Sequence, residues 1–283
     1  HSPIIQEHFG KSVKIHGTTV IIGAPMTTGG NGSAYVFERI GFQDWGTEKQ
    51  LVPTTLSNGS TIPVGFGGSV TINESYAVVG APHSGLNNKG SVHVFEKDSS
   101  GNWGSDTKIV EPVQADYNNF GGTVEIYGNR IAIGGMTPPS SGSTDANLHS
   151  IYSEGFVYMY ERVSAGEWGT GNKFESKYTL GPNSLFGTAI AFDNTFLFIG
   201  SYGQYDRVGA AFIYNYYTPP VFQRTLLLYG NATQTKIYKE HTLFVVRVSK
   251  KIKDNTIKST DPMGFSLITI SKYYFNRFIS IFR

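Results

Sequence analysis

Apolar residues in this chain come in short alternating runs, and the runs recur. Four of them, SVKI (12–15), SVTI (69–72), TVEI (123–126) and AIAF (189–192), each follow a Phe-Gly pair: Phe9-Gly10, Phe66-Gly67, Phe120-Gly121 and Phe186-Gly187. Next comes an apolar run that reaches a glycine: VIIGAP (20–25), AVVGAP (77–82), IAIGGM (131–136) and LFIGSY (197–202). That glycine lies 13 residues beyond the glycine of the Phe-Gly pair in all four copies. A third run follows: GSAYVFER (32–39), GSVHVFEK (90–97), GFVYMYER (155–162) and GAAFIYNY (209–216). In three copies a Trp-Gly stands seven residues after its acidic residue, from Glu38 to Trp45, Glu96 to Trp103 and Glu161 to Trp168. Spacings this regular mark structural repeats.

Short runs rich in Val, Ile, Tyr and Phe, bounded by Gly, Asn and Ser, predict four strands per repeat, A to D. The third run has aromatic residues or His on one face (Tyr35/Phe37, His93/Phe95, Tyr158/Tyr160, Phe212/Tyr214) and aliphatic residues on the other (Ala34/Val36, Val92/Val94, Val157/Met159, Ala211/Ile213). A strand apolar on both faces is buried on both. Four-stranded antiparallel sheets packed face to face around an axis meet that demand, so the expected fold is an all-β propeller. A parallel β-helix is excluded because its coils are much shorter than the spacing between the Phe-Gly pairs.

Phe-Gly followed by Gly-Ala-Pro and G-S-x-x-V-F-E resembles the FG-GAP repeat of integrin-α-type β-propellers, over roughly residues 9–217. The resemblance implies a propeller, usually seven-bladed, with an extracellular adhesion or ligand-binding role, and therefore a secreted or cell-surface setting. The expected blades are 9–65, 66–119, 120–185 and 186–228, with 1–8 as an outer strand of a closing or preceding blade. Residues 229–283 are a degenerate fifth blade or a tail outside the propeller. Four good blades and a poor fifth make either a five-bladed ring or a piece of a seven-bladed one, to which further blades or domains would belong.

The expected A–B turns and B–C loops fall on opposite rims of the disc. The A–B spans are constant, whereas the B–C and D–A spans vary. Variable loops are where binding residues concentrate, so the B–C/D–A rim is the expected functional face. Its candidates are His83, Asn87, Lys89, Asp145, His149, Tyr152, Glu154, Tyr202, Tyr205, Asp206 and Arg207. Loops that drift without function would give the same variability.

Composition sharpens this in places. The chain has 283 residues, a net charge of +2 and only 16% charged residues, so nothing points to nucleic acid. It has no cysteine, which excludes disulfides and thiol nucleophiles. No stretch approaches twenty uncharged apolar residues, so no spanning helix is expected. From Val221 the composition changes: this segment holds 11 Lys/Arg against three acids, and two of the 34 glycines, Gly230 and Gly264. That suits a degenerate blade, a basic surface for anionic partners, or sequence that is not native coding.

Integrin-type repeats often carry a calcium loop at the A–B turn, which needs oxygen ligands at alternate positions. The turns here, His16–Thr18, Asn73–Ser75, Gly128–Asn129 and Asp193–Thr195, hold at most one carboxylate each. No metal and no cofactor is therefore expected. His93 stands where other copies have Tyr or Phe, and reads as a packed, hydrogen-bonded substitute. Glu125 lies on an innermost strand, where propeller glycosidases place acids, but acid–base catalysis of glycosides calls for two and Asp193 is a poor second. The leading expectation is a non-catalytic binding or adhesion module for a protein or glycan. The alternative is a polysaccharide-acting propeller enzyme, a glycoside hydrolase or lyase. Four sequons, at Asn31, Asn58, Asn73 and Asn231, are candidate glycosylation sites.

Overall fold

A computed structural model describes residues 7–26, 31–53, 64–136, 154–175, 184–202, 209–215, 225–230 and 243–248. It contains four antiparallel sheets arranged as the blades of a β-propeller, with no α-helix among the described residues. The first blade is β1 (Ser12–His16), β2 (Thr19–Ala24), β3 (Ser33–Glu38) and β4 (Lys49–Leu51). The second is β5 (Ser69–Ile72), β6 (Tyr76–Ala81), β7 (Ser91–Lys97) and β8 (Trp103–Ile109). The third is β9 (Thr123–Tyr127), β10 (Arg130–Gly135) and β11 (Phe156–Ser164), with its outer strand in two pieces, β12 (Glu167–Trp168) and β13 (Asn172–Phe174), both paired to β11. The fourth is β14 (Phe186–Phe192), β15 (Phe196–Ser201), β16 (Ala210–Asn215) and β17 (Thr225–Gly230). Its outer strand runs to Gly230. A further strand, β18 (Leu243–Val248), lies parallel to β17 along the outer edge of the same sheet. The rest of 231–283, and residues 1–6 of the outer strand expected over 1–8, lie outside the described residues.

The two-faced apolar pattern explains the stacking. Between the first and second blades, Ile21, Val36 and Leu51 meet Phe66, Val70, Ile72 and Val79. Between the second and third, Val78, Val92 and Val94 meet Phe120, Val124, Ile126 and Ile133. Between the third and fourth, Val157, Met159 and Phe174 meet Phe186, Leu197, Ile199 and Phe212. In each joint the Phe of the Phe-Gly pair is wholly buried in the seam.

The marker glycines are set by the same joints. A Cβ on Gly80 would lie 2.1 Å from the carbonyl oxygen of Gly121 in the next blade, and one on Gly90 would lie 2.2 Å from that of Phe120. Backbone meets backbone there, so no side chain fits. The hydroxyls of Ser12 and Ser69 donate to the carbonyls of Gly67 and Gly121 across the same joints. The residue before each Phe-Gly pair is left-handed in all four repeats, His8, Gly65, Asn119 and Leu185, with φ between 46° and 75°.

Candidate ligand-binding face

The A–B rim is made of short, internally satisfied turns. Asn73 Oδ1 accepts from the N–H groups of Ser75 and Tyr76, and Asp193 Oδ1 accepts from those of Thr195 and Phe196. Short side-chain caps of this kind fix a hairpin. They also use the oxygens that a cation at these turns would need. Asn73 further donates from Nδ2 to the carbonyl of Gly128 in the next blade, at 2.9 Å, which engages both ends of the amide of that sequon.

The opposite rim is built differently. In the second blade the loop between β6 and β7 turns through Leu86–Asn88, with Asn87 and Asn88 at positive φ. It lies against the connection from β8 to β9. The carbonyls of Asn87, Asn88 and Lys89 accept from the N–H groups of Tyr117, Asn119 and Phe120. Asn87 Nδ2 donates to Asp116 at 3.0 Å, and Lys89 Nζ lies 3.5 Å from the other oxygen of the same carboxylate. The His83 ring lies over Gly65, in the connection from the first blade. One loop thus bridges both neighbouring connections and carries exposed His83 and Asn87 and half-buried Lys89 on a fixed backbone. Gln114 and Tyr117 are left-handed as well, and strain of this kind is held only where surrounding bonds over-determine it.

Of the other candidates, Glu154 is exposed on this rim, and its carbonyl accepts from the hydroxyl of Ser184 and the N–H of Phe186. Tyr202 is exposed at the end of β15. Asp145, His149, Tyr152, Tyr205, Asp206 and Arg207 lie outside the described residues, as do the sequons at Asn58 and Asn231. Asn31 is partly exposed before β3. Asp116, which holds Asn87 and Lys89 together, was not among the sequence candidates. Its one signal was its place in a D–A connection.

Beneath the rim a buried polar chain runs into the second blade. Ser84 Oγ lies 2.6 Å from Ser91 Oγ, Ser91 Oγ lies 3.1 Å from His93 Nε2, and His93 Nδ1 lies 2.6 Å from Asp106 Oδ2. The order is that of a nucleophile, a base and an orienting acid. Ser91 and His93 are 0% and 1% exposed, so no substrate carbonyl reaches the hydroxyl. The chain instead satisfies a polar cluster at a position filled by aromatic rings elsewhere, and the imidazole packs edge-on against Phe66. At the axis Glu125 accepts from Lys14 at 2.5 Å. The same register position in the second blade is Thr71, whose buried hydroxyl has no partner. Among the described residues no group of three His, Asp or Glu side chains stands at metal-ligating distance, and no helix is long and apolar enough to cross a membrane.

The profile of the FG-GAP repeat family matches residues 6–37 and 57–95, covering parts of the first two repeats. No curated protein matches the chain. Among solved structures it is similar to an α-L-arabinofuranosidase from Clostridium thermocellum, with 13% identity over 72% of this chain and 68% of that one, at a TM-score of 0.38. It is also similar to the hydrazine synthase of Kuenenia stuttgartiensis, with 14% identity over 72% of this chain and 64% of that one, at 0.39. A third is an α-L-arabinofuranosidase from Podospora anserina in complex with cellotriose, with 7% identity over 77% of this chain and 66% of that one, at 0.33. These matches correct one expectation. All three are named as enzymes, against the expectation of a non-catalytic module. At such TM-scores and identities they carry nothing about its activity or substrate.

Proposed function

We propose that this β-propeller, which matches the FG-GAP repeat over residues 6–37 and 57–95, is a binding module whose B–C/D–A rim meets a protein or glycan ligand outside the cell. One observation carries the proposal: the β6–β7 loop is locked to the connection into the third blade, so that Asn87, Lys89 and Asp116 present a pre-arranged polar surface. Ordering costs of rim side chains are then met in folding rather than in binding. The A–B rim offers instead turns whose polar atoms are spent on their own backbone. FG-GAP repeats are typical of extracellular proteins, which supports an extracellular ligand.

The test is a glycan array of neutral and acidic oligosaccharides, run beside a panel of extracellular matrix proteins, with the full chain as probe. Binding that Asp116→Ala and Lys89→Ala weaken, and that Glu74→Ala on the opposite rim leaves intact, is the expected result. Binding abolished only from the Glu74 side overturns the assignment. Each glycan is also followed for cleavage, with Glu125→Gln as control. Turnover lost in that variant would replace binding with catalysis as the primary activity.

A further inference from the structure

The three joints within the chain share one construction. The earlier blade supplies two glycines, Gly23 and Gly32, Gly80 and Gly90, or Gly134 and Gly155, on which the next Phe-Gly strap lies with backbone against backbone. The later blade supplies the buried Phe and two apolar residues of its innermost strand. In the second blade these are Phe66, Val70 and Ile72, at 0%, 7% and 2% exposure. Trp103 and Trp168 pack into the joints in front of their own blades.

Both ends of the stack carry half of this construction. The first blade has the strap half: Phe9, Val13 and Ile15 occupy the same register positions, yet are 49%, 57% and 58% exposed, and Trp45 is exposed too. The fourth blade has the glycine half. Gly200 and Gly209 stand where Gly80 and Gly90 stand, but among the described residues their would-be Cβ atoms meet Ala189, Ser201 and Tyr202, all of their own blade. On the same side, Ala211 is partly exposed where Ala34, Val92 and Val157 are sealed. Among the described residues the halves do not meet, and none lies within 4 Å of a Cβ built on Gly10.

We infer that the exposed face of the first blade binds the fourth blade of a second copy of this chain, by the same strap-on-glycine joint that holds its own blades together. The occupant follows from the glycines. A joint uses two at fixed register, which the fourth blade has. Residues 231–283 contain a single glycine, Gly264, and so do not offer the receiving half. The contact is heterologous, so assemblies grow by whole copies until a rotation closes them.

Sedimentation velocity of the full chain over a wide range of concentration tests this. The expected result is a mass at least double that of the monomer, lost in Ile15→Glu and in Ala211→Glu and regained when the two variants are mixed, because each brings the half the other lacks. Wild-type chain that stays monomeric throughout overturns the proposal, as does a mixture that fails to reassociate while both variants keep the wild-type circular dichroism spectrum. Should a variant not fold, hydrogen exchange of the wild type decides. Protection of residues 9–16 that rises with concentration supports a second copy. Protection that is independent of concentration means that the same chain covers the face, and overturns it.

Discussion

Lys14, on the innermost strand of the first blade, donates through Nζ to Oε1 of Glu125, on the innermost strand of the third, skipping the blade between them. The two residues are 111 apart in sequence and occupy the same register position of their repeats. The bond therefore ties together blades that share no hydrophobic cluster among the described residues. Glu125 is the better buried, with 17% of its side chain exposed against 38% for Lys14. Partial solvent screening limits the strength of such a pair. Glu125→Gln is expected to cost about 1 kcal/mol in urea unfolding, and the loss should shrink as salt is raised. An unchanged midpoint at low salt would mean that the pair holds nothing together.

The buried His93–Asp106 pair should matter more. Both side chains are out of water, and the carboxylate accepts from Nδ1. His93→Phe copies the residue at that position in the fourth blade but takes the imidazole donor away from a buried acid. Breaking a buried pair on one side costs about 3–5 kcal/mol, whereas removing both partners is often near neutral. His93→Phe is thus expected to unfold the second blade readily, and His93→Phe with Asp106→Leu to recover most of the loss. Chemical denaturation of the two variants checks it. A double variant no better than the single one would place the cost in lost packing against Phe66 instead.

How much of this was legible beforehand depends on what kind of contact was at stake. The Phe-Gly and Gly-Ala-Pro markers were readable because a joint of backbone on backbone tolerates glycine alone, so the residue type records the contact. The alternating apolar runs were readable because each blade needs two dry faces. The candidate rim was legible only as a set of variable loops. Nothing in Asp116, Asn87 or Lys89 taken singly shows that one carboxylate holds the other two, since hydrogen bonds between loops follow no period. The left-handed residue ahead of each Phe-Gly pair was equally silent, being His, Gly, Asn and Leu in turn. The register of β18 beside β17 likewise followed from no marker, because the segment around it has lost them.

A glycine comparison separates joints that are made from a half that is open. In Gly80→Ala the new methyl would lie 2.1 Å from the Gly121 carbonyl oxygen, and the blades must part to admit it. The expected loss is about 3 kcal/mol. Gly200→Ala places the same methyl at the same register, 3.1 Å from the Ala189 Cβ of its own blade, and should cost less than about 1 kcal/mol in dilute chain. Thermal melts at the lowest workable concentration check both, and equal losses would mean that the fourth blade is already covered.

Alkaline pH should weaken the joint between the second and third blades through its tyrosines. Burial, aided by neighbouring Tyr158 and Glu111, holds the Tyr160 phenol above its ordinary range, and burial raises Tyr76 and Tyr158 as well. The folded chain therefore keeps protons that the unfolded chain gives up from about pH 10. Stability from these groups is complete below that value and falls as pH rises beyond it toward the folded values. Tyr160→Phe removes one such group at the cost of its long hydrogen bond to the Val110 carbonyl. Its unfolding free energy should accordingly decline less steeply than that of the wild type above pH 10. Tyrosinate absorbance in the wild type should rise in two stages, exposed rings first and the buried ones together with loss of β-sheet signal. A single stage that precedes unfolding would show the phenols to be accessible in the folded state.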